Sequence, residues 1–460
     1  MRIFDTLSGE RKELKQPKKF GIFPKPLNLF VCGPTVYDHP HIGNARTFVF
    51  FDMFVKYLRS QGFKIFYLQN ITNVDDKIIQ RAIDEKTTWD TIAKRYEASF
   101  MDYNRRLGIT SVDTFARSTE FIPQVIAQVK TLIKKGHAYM IDGDGWYFDL
   151  KTFPGYGKLS RRTMEQAETS AEQGTSRVDN SNQKRNAGDF CLWKFTKVAS
   201  NESQVASNAE PSWETDLGAG RPGWHIEDTA TTEHFFGPQY DIHGGALDLK
   251  FPHHEAELTQ QEAASGKSPF VNFWMHAGFL TVSGAKMSKS TGNFITIDDL
   301  LKKMSADEFR MMLFMHHYRQ PLDFSEQTIK MAKDALHYFR VRIQSVKNNA
   351  KDESIEKEFQ EAMDDDFNTP LAIATLRKSN DIGLIIKGFE SIGININPKI
   401  PANVLQLVQK RELSRASKQF AQSDALRMQI EQLGYVVEDT PAGPLVLLAE
   451  NPKFEIRNPK

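Results

Sequence analysis

Two short stretches carry residues whose types and spacing could do chemistry: His41-Ile42-Gly43-Asn44 and, far downstream, Lys286-Met287-Ser288-Lys289-Ser290. Two lysines and two hydroxyls on one loop suit a triphosphate, because they offset the charge that builds up at the α-phosphate and on departing pyrophosphate. His41 and Asn44 offer an imidazole and an amide donor for the other wall of such a site. Read alone, His41 could be an ordinary loop histidine and the lysine stretch a solvated turn. Together, and in this order, they point to nucleotidyl transfer. No Gly-x-Gly-x-x-Gly fingerprint and no Gly-x-x-x-x-Gly-Lys-[Ser/Thr] loop follows a strand pattern, so the usual dinucleotide and P-loop readings have no support.

A second constellation concerns metal. Cys32, His253 and Glu257 supply a thiolate, an imidazole and a carboxylate. The last two are spaced i and i+4, on one face of a helix starting near Pro252. His253-His254-Glu255 could equally be a polar helix start, so the spacing leaves both readings open.

Leu27-Asn28-Leu29-Phe30-Val31 reads as a buried strand that runs into the turn Cys32-Gly33-Pro34. A helical pattern follows with Phe48, Phe51, Val55 and Leu58 on one face, and Gly62 ends it. Strand, tight loop, helix is the order in which a doubly wound sheet presents a helix N-terminus to phosphate. Residues 164–187 are rich in Ser, Gln, Asn, Glu and Thr and read as an exposed, flexible part of an insertion. After Phe324 the chain turns predominantly helical, with Leu426, Ile430 and Leu433 on one face before Gly434.

With 460 residues, of which 40% are hydrophobic and 25% charged, the chain is long enough for about three domains with sizeable cores. No apolar run approaches the ~18 residues of a membrane span, and the N-terminus lacks a signal-peptide layout. Two cysteines, Cys32 and Cys191, suit a reducing cytoplasm and exclude a disulfide scaffold. A net charge of +1 gives no general basic field, so any RNA-binding surface must be local. Arg411, Arg415, Lys418 and Arg427 are the candidates, since arginine pairs bidentately with phosphate or guanine. Interleaved with Glu412, Asp424 and Glu431, they equally describe a solvated helix face.

Further segments join these motifs: Cys32-Gly33-Pro34-Thr35-Val36-Tyr37-Asp38, Asn70-Ile71-Thr72-Asn73-Val74-Asp75-Asp76-Lys77-Ile78, and Gly220 to Glu227. Asp241-Ile242-His243-Gly244-Gly245, Phe251-Pro252-His253-His254-Glu255, His317-Tyr318-Arg319 and Met363 to Pro370 complete the set. In that collinear order, over nearly its whole length, the chain resembles the bacterial-type cysteinyl-tRNA synthetases, which are class I aminoacyl-tRNA synthetases. The resemblance implies an α/β fold: a Rossmann-like parallel-sheet catalytic domain with an inserted connective domain, followed by an α-helical anticodon-binding domain. The expected segments are 1–115 and 223–300 for the two catalytic halves and 116–222 for the insertion. A stem-contact region over 301–335 and a helical domain with a small tail over 336–460 follow.

The implied reaction joins L-cysteine to ATP as cysteinyl-adenylate and passes it to the 3' end of tRNA(Cys), with Mg²⁺ accompanying ATP and a monomer as the working form. His41, Asn44, Lys286 and Lys289 take the catalytic roles, with Asn44 where the wider class has histidine. Gly244, Gly245 and Asp248 are expected at ribose and adenine, and Gly33, Thr72, Trp224 and His243 around the amino acid. The family binds zinc through residues matching Cys32, His253, Glu257 and a second cysteine, at which this chain has Asp228. Carboxylate for thiolate keeps three negative charges around Zn²⁺ but makes the site harder and its grip weaker. A metal-free site and a water as fourth ligand are the rivals. In the family tail a tryptophan follows Glu-Asp-Thr-Pro; here Pro444-Leu445-Val446-Leu447 stands in that stretch.

Three other functions share parts of this pattern, of which a small-molecule nucleotidyltransferase of the same superfamily explains the two ATP motifs but neither the metal set nor the added helical domain. A cysteine ligase of thiol biosynthesis has the same core but lacks the full helical region present here at 336–460. A non-catalytic tRNA-binding paralogue would have lost the lysine motif, which is intact.

Overall fold

A computed structural model describes residues 1–16, 25–163, 165–166, 183–196, 210–282, 284–286, 294–345, 351–440 and 443–448. It divides into two units, one formed by Met1–Phe279 with Arg319–Pro321 and the other by Leu280–Tyr318 with Leu322–Lys460.

The first unit opens with an antiparallel hairpin of β1 (Arg2–Asp5) and β2 (Glu10–Glu13). Strands β3 (Leu27–Val31), β4 (Ile65–Ile71) and β5 (Thr114–Arg117) follow, with the helix Ile42–Ser60 between β3 and β4. An antiparallel sheet of β6 (Ala138–Ile141), β7 (Gly145–Phe148), β8 (Phe190–Phe195) and β9 (Gly220–Pro222) interrupts this pattern. Then β10 (Tyr240–Ala246) and β11 (Val271–Ala277) return to the first sheet, whose order is β11-β10-β3-β4-β5, parallel throughout. Chain order and spatial order diverge at β3 and β10, and in such sheets ligands bind at the carboxyl ends of the strands next to that point.

The expected helix from Ile42 forms and runs to Ser60, with Gly62 at φ +85° beyond it. It is less amphipathic than its spacing implied. Phe48, Phe51, Val55 and Leu58 are buried, and so are Val49, Phe50, Met53 and Phe54, because this helix crosses the sheet beneath other layers and has almost no wet face. The insertion shares its core with the helices that follow β9. Val125, Val129 and Leu132 pack in one cluster with Phe148, Trp193, Ile226 and Ala256.

Most of residues 164–187 lie outside the described residues. Asn186, composed as part of an exposed stretch, is buried at 5%. Its side-chain amide donates to Asp149 and Asp189, which offsets the burial of this one residue, while Glu165, Gln166, Gln183 and Arg185 are exposed as the composition implied.

The second unit has a three-stranded sheet of Leu280–Val282, Ala285–Lys286 and Leu322–Phe324, then the helices Glu326–Ser345, Glu353–Asp364, Thr369–Leu376, Ile382–Ser391, Ala402–Ala416 and Phe420–Gln432. It ends in a hairpin of Tyr435–Thr440 and Gly443–Leu448. Leu426 and Ile430 are buried as their spacing implied. Leu433, expected on the same face, is the C-cap and stays 45% exposed, because the face turns away at Gly434.

Candidate active site and metal centre

The site gathers at the carboxyl ends of β3 and β10. His41 caps the helix Ile42–Ser60: its Nδ1 accepts the backbone N–H groups of Gly43 at 3.1 Å and Asn44 at 3.3 Å, and Asn44 Oδ1 accepts the N–H of His41. An Nδ1 that accepts twice carries no proton, so a neutral His41 presents Nε2–H as a donor. Asn44 likewise spends its oxygen on the cap and keeps its amide hydrogens for a ligand. The first turn contains no acidic residue, which leaves the positive end of the helix dipole uncompensated for an anion. Arg46 anchors the turn from within, donating to the carbonyls of Phe279 and Gln320.

Directly after β3 comes Cys32, with its backbone N–H held by the carbonyl of Gly244 at 3.1 Å. Gly33 follows, and a Cβ there would lie 1.8 Å from the Asn70 carbonyl oxygen. No side chain fits that backbone contact. We expect Gly33→Ala to cost at least the roughly 1–3 kcal/mol typical of overpacking, read as a lower denaturation midpoint in urea. Unchanged stability would contradict the close approach.

Residues of β10 alternate between the two faces of the sheet. A Cβ on Gly244 would strike the Phe51 ring at 2.3 Å, and one on Gly245 would meet His254 Cε1 at 2.6 Å. Both glycines therefore let helices lie close on the sheet just where the strand ends. Asp248 follows, exposed, on the 3-10 turn Leu247–Lys250.

Cys32, Asp228, His253 and Glu257 converge, each no more than 4% exposed. Asp228 sits in the first turn of the helix Ile226–Phe236, and His253 and Glu257 on the helix His253–Ser265. His253 Nε2 is 2.9 Å from Asp228 Oδ2 and 3.1 Å from Glu257 Oε1. Cys32 Sγ is 3.5 Å from Asp228 Oδ2 and 3.8 Å from Glu257 Oε1. Burial, then the charge of Asp228, pushes the Glu257 carboxyl well above its usual range. Burial, then the charges of Glu257 and Asp228, pushes the Cys32 thiol up as well. Two carboxylates and a potential thiolate in a dry pocket are the crowding that a divalent cation relieves. The donor set, one sulfur, one nitrogen and two oxygens within 4.8 Å of one another, fits zinc. A buried cluster able to bind a metal is thus in place.

A second donor set overlaps the first. Cys32 and Glu257 also stand with His243 and His254, whose Nε2 atoms lie 3.6 and 3.2 Å from Cys32 Sγ. Burial keeps both imidazoles neutral, well below their usual pKa, and lowers His276 behind them to about 3. Tyr240 OH holds His243 Nδ1 at 2.6 Å, and His276 Nε2 faces His254 Nδ1 at 2.9 Å. His243, expected along the amino-acid pocket, is fully buried, stacks on Trp274 at 4.3 Å and reaches Cys32 with its Nε2. Trp224 is half-buried and stacks on His253, with centroids 4.2 Å apart and planes 17° from parallel. Thr72 is buried beside the same cluster.

Sequence reasoning missed Asn70, His254 and Tyr240. Asn70 and Thr72 share a face by the two-residue period of an extended chain, and that was the available signal. Glu255 follows the two histidines but ligates nothing; it accepts the backbone N–H groups of Gly157 at 3.0 Å and Ser160 at 2.6 Å.

Lys286 ends the strand Ala285–Lys286 in the second unit, and Lys289 lies outside the described residues. Of the basic residues proposed to meet RNA, Arg411 does not face solvent: it is 1% exposed and paired in a fork with Asp439 at 2.9 and 3.1 Å. Its guanidinium is thus spent on an ion pair with a half-exposed carboxylate of the C-terminal hairpin. Arg415 and Arg427 are exposed and paired with Asp439 and Glu431. Lys418 is exposed in a left-handed turn, φ +59°.

Residues 21–334 match the model of the class I (C) tRNA synthetase catalytic domain, 358–378 the DALR domain, and 397–443 the cysteinyl-tRNA ligase anticodon binding domain. A crystal structure of Mycobacterium tuberculosis methionyl-tRNA synthetase bound by methionyl-adenylate shares the fold. Its TM-score is 0.55 at 15% identity, over 80% of this chain and 84% of that one. Fold and catalytic-domain match define a class I aminoacyl-tRNA synthetase. The cysteine–tRNA ligase of Haemophilus influenzae (strain 86-028NP) is 38% identical over 96% of this chain and 98% of its own. That of Legionella pneumophila (strain Paris) is 39% identical over 91% and 94%. The chain belongs to the cysteine–tRNA ligase family.

Proposed function

We propose that the chain activates L-cysteine with Mg-ATP, releasing pyrophosphate, and transfers the cysteinyl group to the 3' end of tRNA(Cys). The observation that carries the choice of amino acid is the buried set Cys32, Asp228, His253 and Glu257 beside Trp224 and Thr72. Zinc held there supplies an electrophilic centre at which a thiol ionises far more readily than the hydroxyl of serine. Discrimination by such chemistry removes the need for editing, which a pocket separating two side chains of similar size requires.

Activation begins when the cysteine carboxylate attacks the α-phosphate. His41 Nε2–H and the Asn44 amide donate to the phosphate oxygens, and the charges of Lys286 and Lys289 stabilise the pentavalent transition state. Gly244 and Gly245 meet the nucleoside through the backbone at the end of their strand, and Asp248 accepts the ribose hydroxyls. Gly33, Thr72, Trp224 and His243 bound the amino acid, with Trp224 stacked on His253. A terminal adenosine hydroxyl of the tRNA then attacks the adenylate. The helical region 336–460 grips the anticodon, with Lys418 and, once their surface ion pairs open, Arg415 and Arg427 as its basic contacts. Such pairs are worth about 0–1 kcal/mol each and yield easily to phosphate. A reduced Cys32 fits a cytoplasmic protein, and the chain is proposed to work as a monomer.

An exchange assay with each of the amino acids, followed by charging of total tRNA, tests this reading. Pyrophosphate exchange with cysteine alone and cysteinylation of one tRNA species are expected. Exchange without charging would favour a cysteine ligase with another acceptor.

A further inference from the structure

The two donor sets overlap, so a single ion can sit in only one of them. They share Cys32 and Glu257, and the glutamate straddles them, with Oε1 3.1 Å from His253 and Oε2 3.6 Å from His243. One set adds Asp228 and His253, the other His243 and His254. By ligand chemistry alone the second should win, because it replaces a carboxylate oxygen by an imidazole nitrogen, which suits zinc better. Its imidazoles are also already aimed, since Tyr240 and His276 occupy the two Nδ1 atoms.

One side chain favours the first set. Asn70, on β4 and 3% exposed, donates from Nδ2 to Asp228 Oδ1 at 2.5 Å, while its Oδ1 accepts the Gly33 N–H at 2.5 Å. The Gly33 contact fixes which way the amide points, because a backbone N–H can face only its oxygen. With Oδ1 of Asp228 engaged, Oδ2 is turned toward Cys32 Sγ and His253 Nε2. Nδ2 also reaches Thr72 Oγ1 at 3.3 Å. Gly33, Thr72 and the aspartate are thus tied through one amide on a rigid strand.

We propose that Asn70 is a positioning residue that holds Asp228 in the donor set and so selects Cys32–Asp228–His253–Glu257 over Cys32–His243–His254–Glu257 as the seat of the metal. The proposal rests on the metal reading above. It is specific to a chain with aspartate at 228, since a thiolate would bind zinc strongly without being oriented by an amide. It also bears on substrate: the first set lies against Trp224 through His253, whereas the second lies against Trp274 in the interior.

The test is X-ray absorption at the zinc edge on the full-length, zinc-loaded protein, with cysteine kinetics on the same samples. The wild type should show one imidazole and one sulfur. Asn70→Ala should show two imidazoles and one sulfur, with the cysteine KM raised about tenfold or more, the usual scale for a lost supporting hydrogen bond at a metal site, and kcat changed less. Asn70→Asp, equal in size and still an acceptor for Gly33 N–H, should behave in the same way and carries the test should the alanine variant not fold. Asp228→Cys added to Asn70→Ala should return the spectrum to one imidazole, now with two sulfurs. Either Asn70 variant retaining one imidazole and the wild-type KM overturns the proposal, as does a wild type with two imidazoles. A wild type that takes up no zinc overturns the metal reading and this proposal with it.

Discussion

Lys289→Ala should slow cysteine-dependent pyrophosphate exchange by about 10²–10³-fold, equivalent to about 2.7–4 kcal/mol of lost transition-state stabilisation. The lysine meets charge that is absent from bound cysteine and grows only as the α-phosphate is attacked. Its loss should therefore appear in kcat and leave the cysteine KM nearly unchanged. Lys286 and the helix end at His41 remain, so the residual rate should stay measurable. Equal damage to kcat and to cysteine binding would assign Lys289 to holding substrate and remove it from the transition state.

Asp228→Asn should weaken zinc binding by more than the roughly 10–100-fold that loss of a supporting hydrogen bond costs. It removes a full negative charge from among the ligands, and it faces the Asn70 amide with a group that need not present oxygen to the metal. Asp228→Cys should act in the opposite direction: a second thiolate keeps the charge and softens the site. Its preference for cysteine over serine should be kept or sharpened. Equilibrium competition with a chromophoric chelator gives both affinities. Zinc held equally by wild type and Asp228→Asn would remove Asp228 from the ligands while leaving Cys32, His253 and Glu257 in place.

Linear motifs made much of this legible in advance. Leu27 to Asn44 is a strand, a turn and a capped helix written consecutively, so its geometry follows from local rules. His253 and Glu257 are one helical turn apart, and the structure brings them together with Cys32 and Asp228 as the resemblance implied.

What the sequence hid depends on partners distant in the chain. Asn70 and Asp228 lie 158 positions apart, and nothing local to either announces the contact. The helix His253–Ser265 reads as polar, yet His253 through Ala264 are buried. Several polar groups there meet specific partners, as when Gln260 donates to the carbonyl of His225 at 2.6 Å, and such pairing offsets the cost of burial only after the fold exists. Arg411 misled for the same reason: its surface-like charge pattern conceals a tie to Asp439 across 28 positions.

Cysteine-dependent pyrophosphate exchange by the full-length protein, measured before and after chelation and again after zinc is restored, tests the central claim most directly. The account predicts activity that disappears with the metal, returns with about one zinc per chain, and discriminates strongly against serine whenever zinc is present. Full cysteine-dependent exchange by metal-free protein would contradict it, and would leave Trp224 and Thr72 to choose the amino acid by shape.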